Sequence, residues 1–281
     1  MRTLRQAGVE GDILAWKDAL HEGPVPAQPP AELARTRAHF LAAATNGSAS
    51  SIERQLRNRD RALEQAPAAV LWFEADLYDQ LQLIQVLARL KAPATLVSIG
   101  EYPGRAHFGG LGELSANELK ALRNTDAIEV DAEARELATE AWAAFTAPDP
   151  RALIGLKPVK SRVLRFLGDA IERLLQEYPW MGDGLSLTER RVLHALDAGA
   201  TTKQDVFRHL WQVERRPFLG DTWCYRTIDR LIGAGLVAEQ PALVRSRVDR
   251  LDEVDRWIGG VHLKGRPRWR WDPAAETLLP P

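Results

Sequence analysis

The sequence predicts an α/β fold in two domains. Residues 1–150 are predicted as a Rossmann-like, mainly parallel sheet with helices on both faces, and residues 151–281 as an all-α, winged-helix-like domain. Short apolar segments alternate with helical patterns through the first half, and three closely spaced helical patterns mark the second. The chain has 281 residues, 45% of them hydrophobic, which suffices for two ordinary globular cores.

Four apolar segments of the first half are the predicted strands. Parallel neighbours cannot be joined by a tight turn, so strands that alternate with helices predict parallel pairing with the helices as crossovers. A Ser115 to Glu118 spacing is typical of a capping box at the start of one of these helices. The predicted strands cover residues 12–16, 69–73, 95–99 and 127–130, and the predicted helices residues 31–44, 52–65, 77–90, 115–123 and 132–145.

Polar residues directly after a strand are site candidates, because ligands of open α/β sheets bind at the carboxyl ends of the strands. Asp18, His21 and Glu22 follow the first predicted strand and are the candidate catalytic residues. A carboxylate bound to one ring nitrogen raises the basicity of the other, so Asp18 and His21 form a candidate acid/base pair. The alternatives are a metal site shared with Asp76 or Asp79, ligand binding without chemistry, and a structural role.

Gly23, Asp76, Asp79 and Arg105 are the candidate ligand-binding residues. Gly23 follows the first predicted strand, Asp76 and Asp79 follow the second, and Arg105 follows the third. A guanidinium at this position would bind a phosphate bidentately. Asp76 and Asp79 also open a helix, so capping and the helix dipole explain them at least as well.

Several motifs with a known mechanism are absent from the sequence. It contains no GxxxxGK[ST], no GxGxxG after the first strand, no HExxH, no GxSxG and no CxxC. Their absence argues against P-loop nucleotide hydrolysis, standard dinucleotide binding, zincin proteolysis and α/β-hydrolase chemistry. The single cysteine, Cys224, argues against an internal disulfide and a cysteine-based zinc site.

The second half predicts a bundle of helices and a wing. One long helix is expected over residues 158–178, then three shorter ones over residues 187–198, 203–214 and 222–232, and a wing strand at residues 268–271. In a winged helix the third helix enters the major groove and the wing contacts phosphates. The candidate nucleic-acid-binding residues are therefore Arg226 and Arg230 on the helix and Arg268 and Arg270 on the wing. A winged helix used for protein docking or oligomerisation is the alternative.

The two halves carry opposite charge although the whole chain is nearly neutral. Residues 1–150 contain 15 basic and 21 acidic side chains, and residues 151–281 contain 22 and 17. Such an asymmetry indicates either electrostatic docking of the halves or one half suited to an anionic partner. A chance partition of solvated charges explains it as well.

Four segments carry a resemblance to a known family. They read WKDALHEGPVP at residues 16–26, LWFEADLYDQLQL at 71–83, GLSLTER at 184–190 and WIGGVHL at 257–263. The chain resembles the bacterial proteins grouped as Domain of Unknown Function 1835, which have no settled activity. The resemblance implies that Asp18, His21, Glu22, Gly23, Pro24, Asp76 and Asp79 belong to the family pattern. Relatives usually begin with an extra strand that ends in a Gly-Asp turn, whereas this chain begins at the following helix, near residues 4–7.

These observations favour a cytoplasmic protein without a membrane partner, because no apolar run approaches the length needed to cross a bilayer. The leading hypothesis is a small polar or phosphorylated ligand bound at the strand ends, with acid/base or metal-assisted chemistry as an extension. The alternatives are a nucleic-acid-binding regulator with an α/β sensor domain and a protein-protein adaptor. The cofactor stays undetermined, and homodimerisation is left open.

Overall fold

The computed structural model describes residues 2–105, 108–239, 242–246, 248 and 250–280. They form a mixed α/β structure in which helices predominate. The helices of the first half are α1 (Arg2–Gln6), α2 (Pro30–Thr45), α3 (Ala49–Gln65), α4 (Leu77–Leu87), α5 (Ala116–Thr125) and α6 (Ala132–Thr146). Its strands are β1 (Ala69–Glu74), β2 (Ala94–Ile99) and β3 (Ala127–Glu129).

The sheet of the first half has the order β1-β2-β3. β1 and β2 are parallel, with Leu71 opposite Leu96, and α4 is the crossover between them. β3 pairs with β2 antiparallel. The sheet therefore contains one β-α-β unit of the predicted kind, extended by a reversed edge strand.

The predicted Rossmann-like layer is not confirmed, because its first strand does not form. Residues 12–16 are irregular, and Leu14 is 42% exposed. The Trp16 ring packs instead under the Arg59 guanidinium, 3.8 Å from the ring centroid, and its indole nitrogen donates to Gln85 Oε1 at 2.8 Å. The apolar run thus serves side-chain packing and not strand pairing.

Helices cover both faces of this small sheet, as predicted. Leu71, Phe73 and Leu96 point into the main core together with α4 and α6. Val97 and Ile99 point to the other face, where α5 covers them. Side chains alternate along each strand, so the two faces need separate partners. This arrangement leaves the carboxyl ends of β1 and β2 at one edge of the layer.

The prediction of one long helix over residues 158–178 is wrong. The structure has α7 (Arg151–Leu156) and α8 (Leu167–Leu175), with irregular backbone between them. A proline at position 158 disfavours continuation of α7. A Cβ atom on Gly168 would lie 2.8 Å from the Lys157 carbonyl oxygen, so the chain folds back tightly onto α8. The apolar residues Val163 and Leu164 are buried in this non-helical segment.

Three helices and a hairpin form a unit with its own core. They are α9 (Leu187–Asp197), α10 (Lys203–Val213), α11 (Asp221–Gly233), β4 (Val237–Ala238) and β5 (Val244–Arg245). Val192, Val206 and Ile228 are completely buried among them. The three shorter helices predicted for this region correspond closely to α9, α10 and α11. The hairpin that follows α11 is β4-β5.

The predicted wing at residues 268–271 belongs elsewhere. β8 (Arg270–Asp272) pairs with β9 (Thr277–Leu279), and Trp271 is 2% exposed in the main core. A further hairpin pairs β6 (Val254–Ile258) with β7 (Val261–Gly265). The Trp271 side chain is buried in the main core. The strand that carries it is therefore not part of the three-helix unit.

The main core crosses the predicted domain boundary at residue 150. It joins Leu81 and Phe145 of the first half to Leu174, Ile258 and other residues of the second. The turn of the β6-β7 hairpin docks on the end of α6: Gly260 N donates to the Phe145 carbonyl at 2.9 Å. Residues on both sides of position 150 therefore share one apolar core. None of the described helices has the length and apolar character to span a membrane.

Candidate functional site

Asp18 lies in a buried salt bridge with Arg37 from α2. Arg37 Nη2 is 2.6 Å from Asp18 Oδ1, and each side chain is 1% exposed. The same guanidinium donates to the carbonyl oxygens of Ala19 at 2.9 Å and Glu22 at 2.7 Å. The carboxylate thus holds an arginine that organises the loop after residue 16. It is not bound to His21, so the predicted acid/base pair does not form.

His21 is enclosed by aromatic rings and is 9% exposed. Its ring packs edge-on against Phe218 at 5.3 Å, Tyr78 at 5.7 Å and Trp223 at 6.3 Å between centroids. Neither ring nitrogen has a hydrogen-bond partner among the residues that the structure describes. Burial, followed by the charge of Arg37, lowers the pKa of His21 to about 3. The imidazole is therefore neutral and shielded, and the geometry does not suit the general acid/base role predicted for it.

Glu22 faces helix α11 of the second half, and Gly23 lies against Phe40 of α2. Glu22 Oε2 lies 3.8 Å from Arg230 Nη1, and burial raises the pKa of Glu22 despite that positive charge. Gly23 has φ of 75°, and a Cβ atom there would lie 2.5 Å from the Phe40 ring. Phe40 in turn stacks on Trp223 at 5.6 Å with nearly parallel planes. These two predicted site residues thus shape the contact between the halves.

Asp76 and Asp79 belong to an acidic cluster with Glu74 at the end of β1. One ligand oxygen from each lies within 4.8 Å of the others. Asp76 caps α4 by accepting from Asp79 N at 3.1 Å, and Asp79 accepts from Glu74 N at 2.6 Å. Glu74 accepts from Leu111 N at 2.8 Å. Three carboxylates at this spacing suit a divalent cation, but their hydrogen bonds already satisfy part of each group.

Burial and mutual repulsion raise the pKa of these three carboxyl groups, so they hold a proton at higher pH than usual. The pKa of Glu74 rises to about 7, chiefly through burial and then through the Asp79 charge. The pKa of Asp79 rises to about 6 through burial, and that of Asp76 rises well above its ordinary value through burial and Asp79. Asp76 caps α4, as considered from the sequence. Burial shifts its carboxyl group toward the neutral form.

Arg105 is engaged by residues between β2 and α5 and at the start of α5. Its Nη2 lies 3.0 Å from Glu118 Oε1, and its Nη1 donates to the Glu113 carbonyl at 2.8 Å. The guanidinium also lies over the Tyr102 ring, 5.4 Å from its centroid. These contacts tie the loop after β2 to the start of α5. The predicted phosphate clamp from Arg105 is therefore not formed.

A cleft of about 230 Å³ opens at the carboxyl end of β1. The lining from the first half is Ala75, Asp76 and the start of α4, and the second half contributes α8 and the segment after α10. Gly100, which directly follows β2, lies at the same edge, because a Cβ atom there would be 2.8 Å from Ala75 Cβ and 3.5 Å from Arg216 Nε. The charged side chains lining the cleft are Asp76, Asp169, Glu172, Arg173, Arg191, Glu214, Arg215 and Arg216.

Two carboxylates that line the cleft contact its four arginines, and Arg173 also pairs with Glu177 at 2.6 Å. Asp169 Oδ2 lies 2.8 Å from Arg216 Nη1 and 3.7 Å from Arg215 Nη1. Glu214 contacts Arg173 at 3.0 Å and also pairs with Arg191. Sequence analysis missed all four arginines, because they come from segments more than 90 positions after β1. The adjacent pair Arg215-Arg216 after a helical pattern was the available indication.

The four predicted nucleic-acid-binding arginines lie against different parts of the molecule. Arg230 faces Glu22, and Arg226 lies 6.0 Å from the Trp223 ring centroid. Arg270 Nη1 donates to the Trp180 carbonyl at 3.5 Å. Arg268 is exposed near Asp149, whose pKa is lowered mainly by Arg151 and to a lesser extent by Arg268. The helix and the predicted wing therefore do not present one basic surface.

The resemblance to Domain of Unknown Function 1835 stays a prediction after comparison with known proteins. No family model matches the chain, and neither a curated protein nor a solved structure matches it.

Proposed function

We propose that the protein binds a small phosphorylated ligand in the cleft at the carboxyl ends of β1 and β2. The observation that carries the proposal is the arginine pair Arg215 and Arg216, which has Asp169 as its only ion-pair partner among the described residues. One carboxylate neutralises one of two adjacent guanidinium groups. The remaining positive charge is available to an anion, and guanidinium groups bind phosphate bidentately.

The position of the cleft supports the same ligand class. Parallel strands leave their carboxyl ends at one edge, where ligands of α/β sheets bind. Here α8 and Arg216 from the second half line that edge. Phe166 holds Arg216 in place, since the guanidinium lies 4.8 Å from its ring centroid. A ligand there would touch both halves of the chain.

Asp76 supplies a second type of contact. Burial raises its pKa, and in the protonated form this carboxyl group would donate a hydrogen bond to a phosphate oxygen. The site so described binds and orients a ligand. We do not include acid/base catalysis by His21, because that ring is enclosed by Tyr78, Phe218 and Trp223.

Calorimetric titration with inorganic phosphate and pyrophosphate tests the proposal. We expect binding to weaken at least about tenfold in Arg216→Gln, the loss of one charge-assisted contact. Asp169→Asn should instead strengthen binding, because it removes the anion that competes for both arginines. Arg208→Gln is the matched control: Arg208 pairs with Asp205 on α10 and does not line the cleft.

Opposite effects of two neighbouring substitutions are difficult to obtain from general destabilisation. Unchanged phosphate and pyrophosphate binding in Arg216→Gln, or no binding of either anion to the unaltered protein, would refute the proposal. Weakening in Asp169→Asn equal to that in Arg216→Gln would also count against it.

We propose in addition that α9, α10, α11 and the β4-β5 hairpin constitute a winged helix. The support is the order of three packed helices followed directly by an antiparallel hairpin. Nucleic-acid binding is not part of the proposal, because Trp223 and Arg230 of α11 face Phe40 and Glu22 of the first half. In this position α11 serves the contact between the halves.

A further inference from the structure

A pair of histidines joins α9 to α10 at the surface of the molecule. His194 Nδ1 lies 3.1 Å from His209 Nε2, and the ring centroids are 5.3 Å apart. His194 is exposed and His209 is partly exposed. A hydrogen bond between two imidazoles needs one nitrogen to be unprotonated, so at least one lone pair points into this contact.

The two rings are carried by well-fixed helices. A capping box between Ser186 and Glu189 fixes the start of α9, and Thr202 caps α10 by accepting from Asp205 N. The two helices pack through the second core, which includes Val192 and Val206. The separation of the rings is therefore set by packing rather than by a loose surface contact.

We propose that His194 and His209 form a binding site for a divalent transition-metal ion of the Cu²⁺, Ni²⁺ or Zn²⁺ type. Imidazole nitrogen is a preferred ligand of these ions. Two nitrogens bound to tetrahedral zinc at 2.0–2.1 Å lie about 3.3 Å apart, close to the 3.1 Å between the two ring atoms. On binding, the proton between the rings moves through solvent to the outer nitrogen of the donating ring, and both rings turn about their side-chain bonds so that the two inner lone pairs converge on the metal.

The electrostatics of the pair agree with this use. Burial, and then the neighbouring His194, lowers the pKa of His209. The neutral ring, which is the metal-binding form, is thus favoured near neutral pH. Two ligands leave other coordination positions to water, so we expect moderate affinity, with Cu²⁺ bound more tightly than Ni²⁺ or Zn²⁺ and no binding of Mg²⁺.

The test is calorimetric titration of the full chain, prepared without a polyhistidine tag, with Cu²⁺ and Zn²⁺. Loss of one of two ligands should weaken binding at this site at least about tenfold, since loss of even an outer-shell partner typically costs 10–100-fold. We expect that loss in His194→Ala and in His209→Ala alike. His262→Ala is the control, because His262 is bound to Asp255 on the β6-β7 hairpin.

Two readouts separate metal binding from folding. Circular dichroism of each variant without metal reports whether the helices persist. The electron paramagnetic resonance spectrum of bound Cu²⁺ should show hyperfine coupling to two imidazole nitrogens, and to one in each single variant. Equal Cu²⁺ affinity and spectra in the unaltered protein and the folded double variant would overturn the proposal, as would an equal loss in His262→Ala.

Discussion

Asp18 and Arg37 are held together in a salt bridge of 2.6 Å between Oδ1 and Nη2, with both side chains 99% withdrawn from solvent. The pair connects the irregular segment before α2 to α2 itself. Arg37 also binds main-chain carbonyl oxygens of residues 19, 22 and 24. A carboxylate that sequence analysis placed in catalysis is therefore the partner of an arginine that fixes the loop.

Removal of one member of this pair should destabilise the protein strongly. Arg37→Met leaves Asp18 buried without its partner, and such changes cost about 3–5 kcal/mol. The free energy of unfolding in urea measures the effect. Arg57→Met is the control, because Arg57 pairs with Glu53 at the surface and its loss should cost less than about 1 kcal/mol. Equal losses in the two variants would contradict the structural role of the buried pair.

His21→Phe should leave the protein as stable as before or stabilise it by about 1–2 kcal/mol near neutral pH. The substitution keeps the aromatic contacts and removes two buried nitrogens that lack partners. Urea denaturation at pH 7.5 measures this. A marked loss of stability would mean that the ring nitrogens have partners essential for folding.

The same variant has a distinct pH dependence. The pKa of His21 is about 3 when folded and about 6.5 when unfolded, so proton uptake by the unfolded chain lowers the stability progressively as the pH falls from 6.5 toward 3. His21→Phe cannot bind this proton and lacks that loss. Its stability should decline less between pH 6.5 and 4 than that of the unaltered protein, as measured by thermal unfolding across that range.

Gly23→Ala should destabilise the contact between the halves. The new methyl group meets the Phe40 ring at 2.5 Å and also forces alanine into a φ of 75°. Gly8→Ala is the matched control, since Gly8 has a φ of 78° but open space around it. We expect about 1–2 kcal/mol for the backbone alone and an additional 1–3 kcal/mol for the overlap at Gly23. Equal costs in urea denaturation would show that Phe40 moves aside freely.

Glu74→Gln should flatten the pH dependence of stability between pH 4.5 and 7. The pKa of Glu74 is raised to about 7, so the folded state keeps a proton that the unfolded state releases near pH 4.5. This group stabilises the fold fully below pH 4.5, and the contribution is lost as the pH rises through 7. Thermal unfolding across the range checks this, with the exposed Glu64→Gln as control. A slope in Glu74→Gln equal to that of the control would contradict the raised pKa.

The sequence by itself determined the elements whose information is local. The capping box at Ser115 forms as predicted, and Asp76 caps α4, because such caps depend on residues three positions apart. The helices α9 to α11 and the crossover helix between β1 and β2 could be predicted from the sequence for the same reason. Each needs only neighbouring positions in the chain.

Only the tertiary structure decided which side chains meet. Residues 12–16 have the composition of a strand, yet Trp16 is taken up by Arg59 and Gln85. His21 has the chemistry of a base, yet Phe218 and Trp223, about 200 positions later, enclose it. Arg215 and Arg216 reach the strand ends from the second half. Contacts of this kind depend on how distant segments share one core and how far they exclude water, and no local pattern in the sequence encodes either.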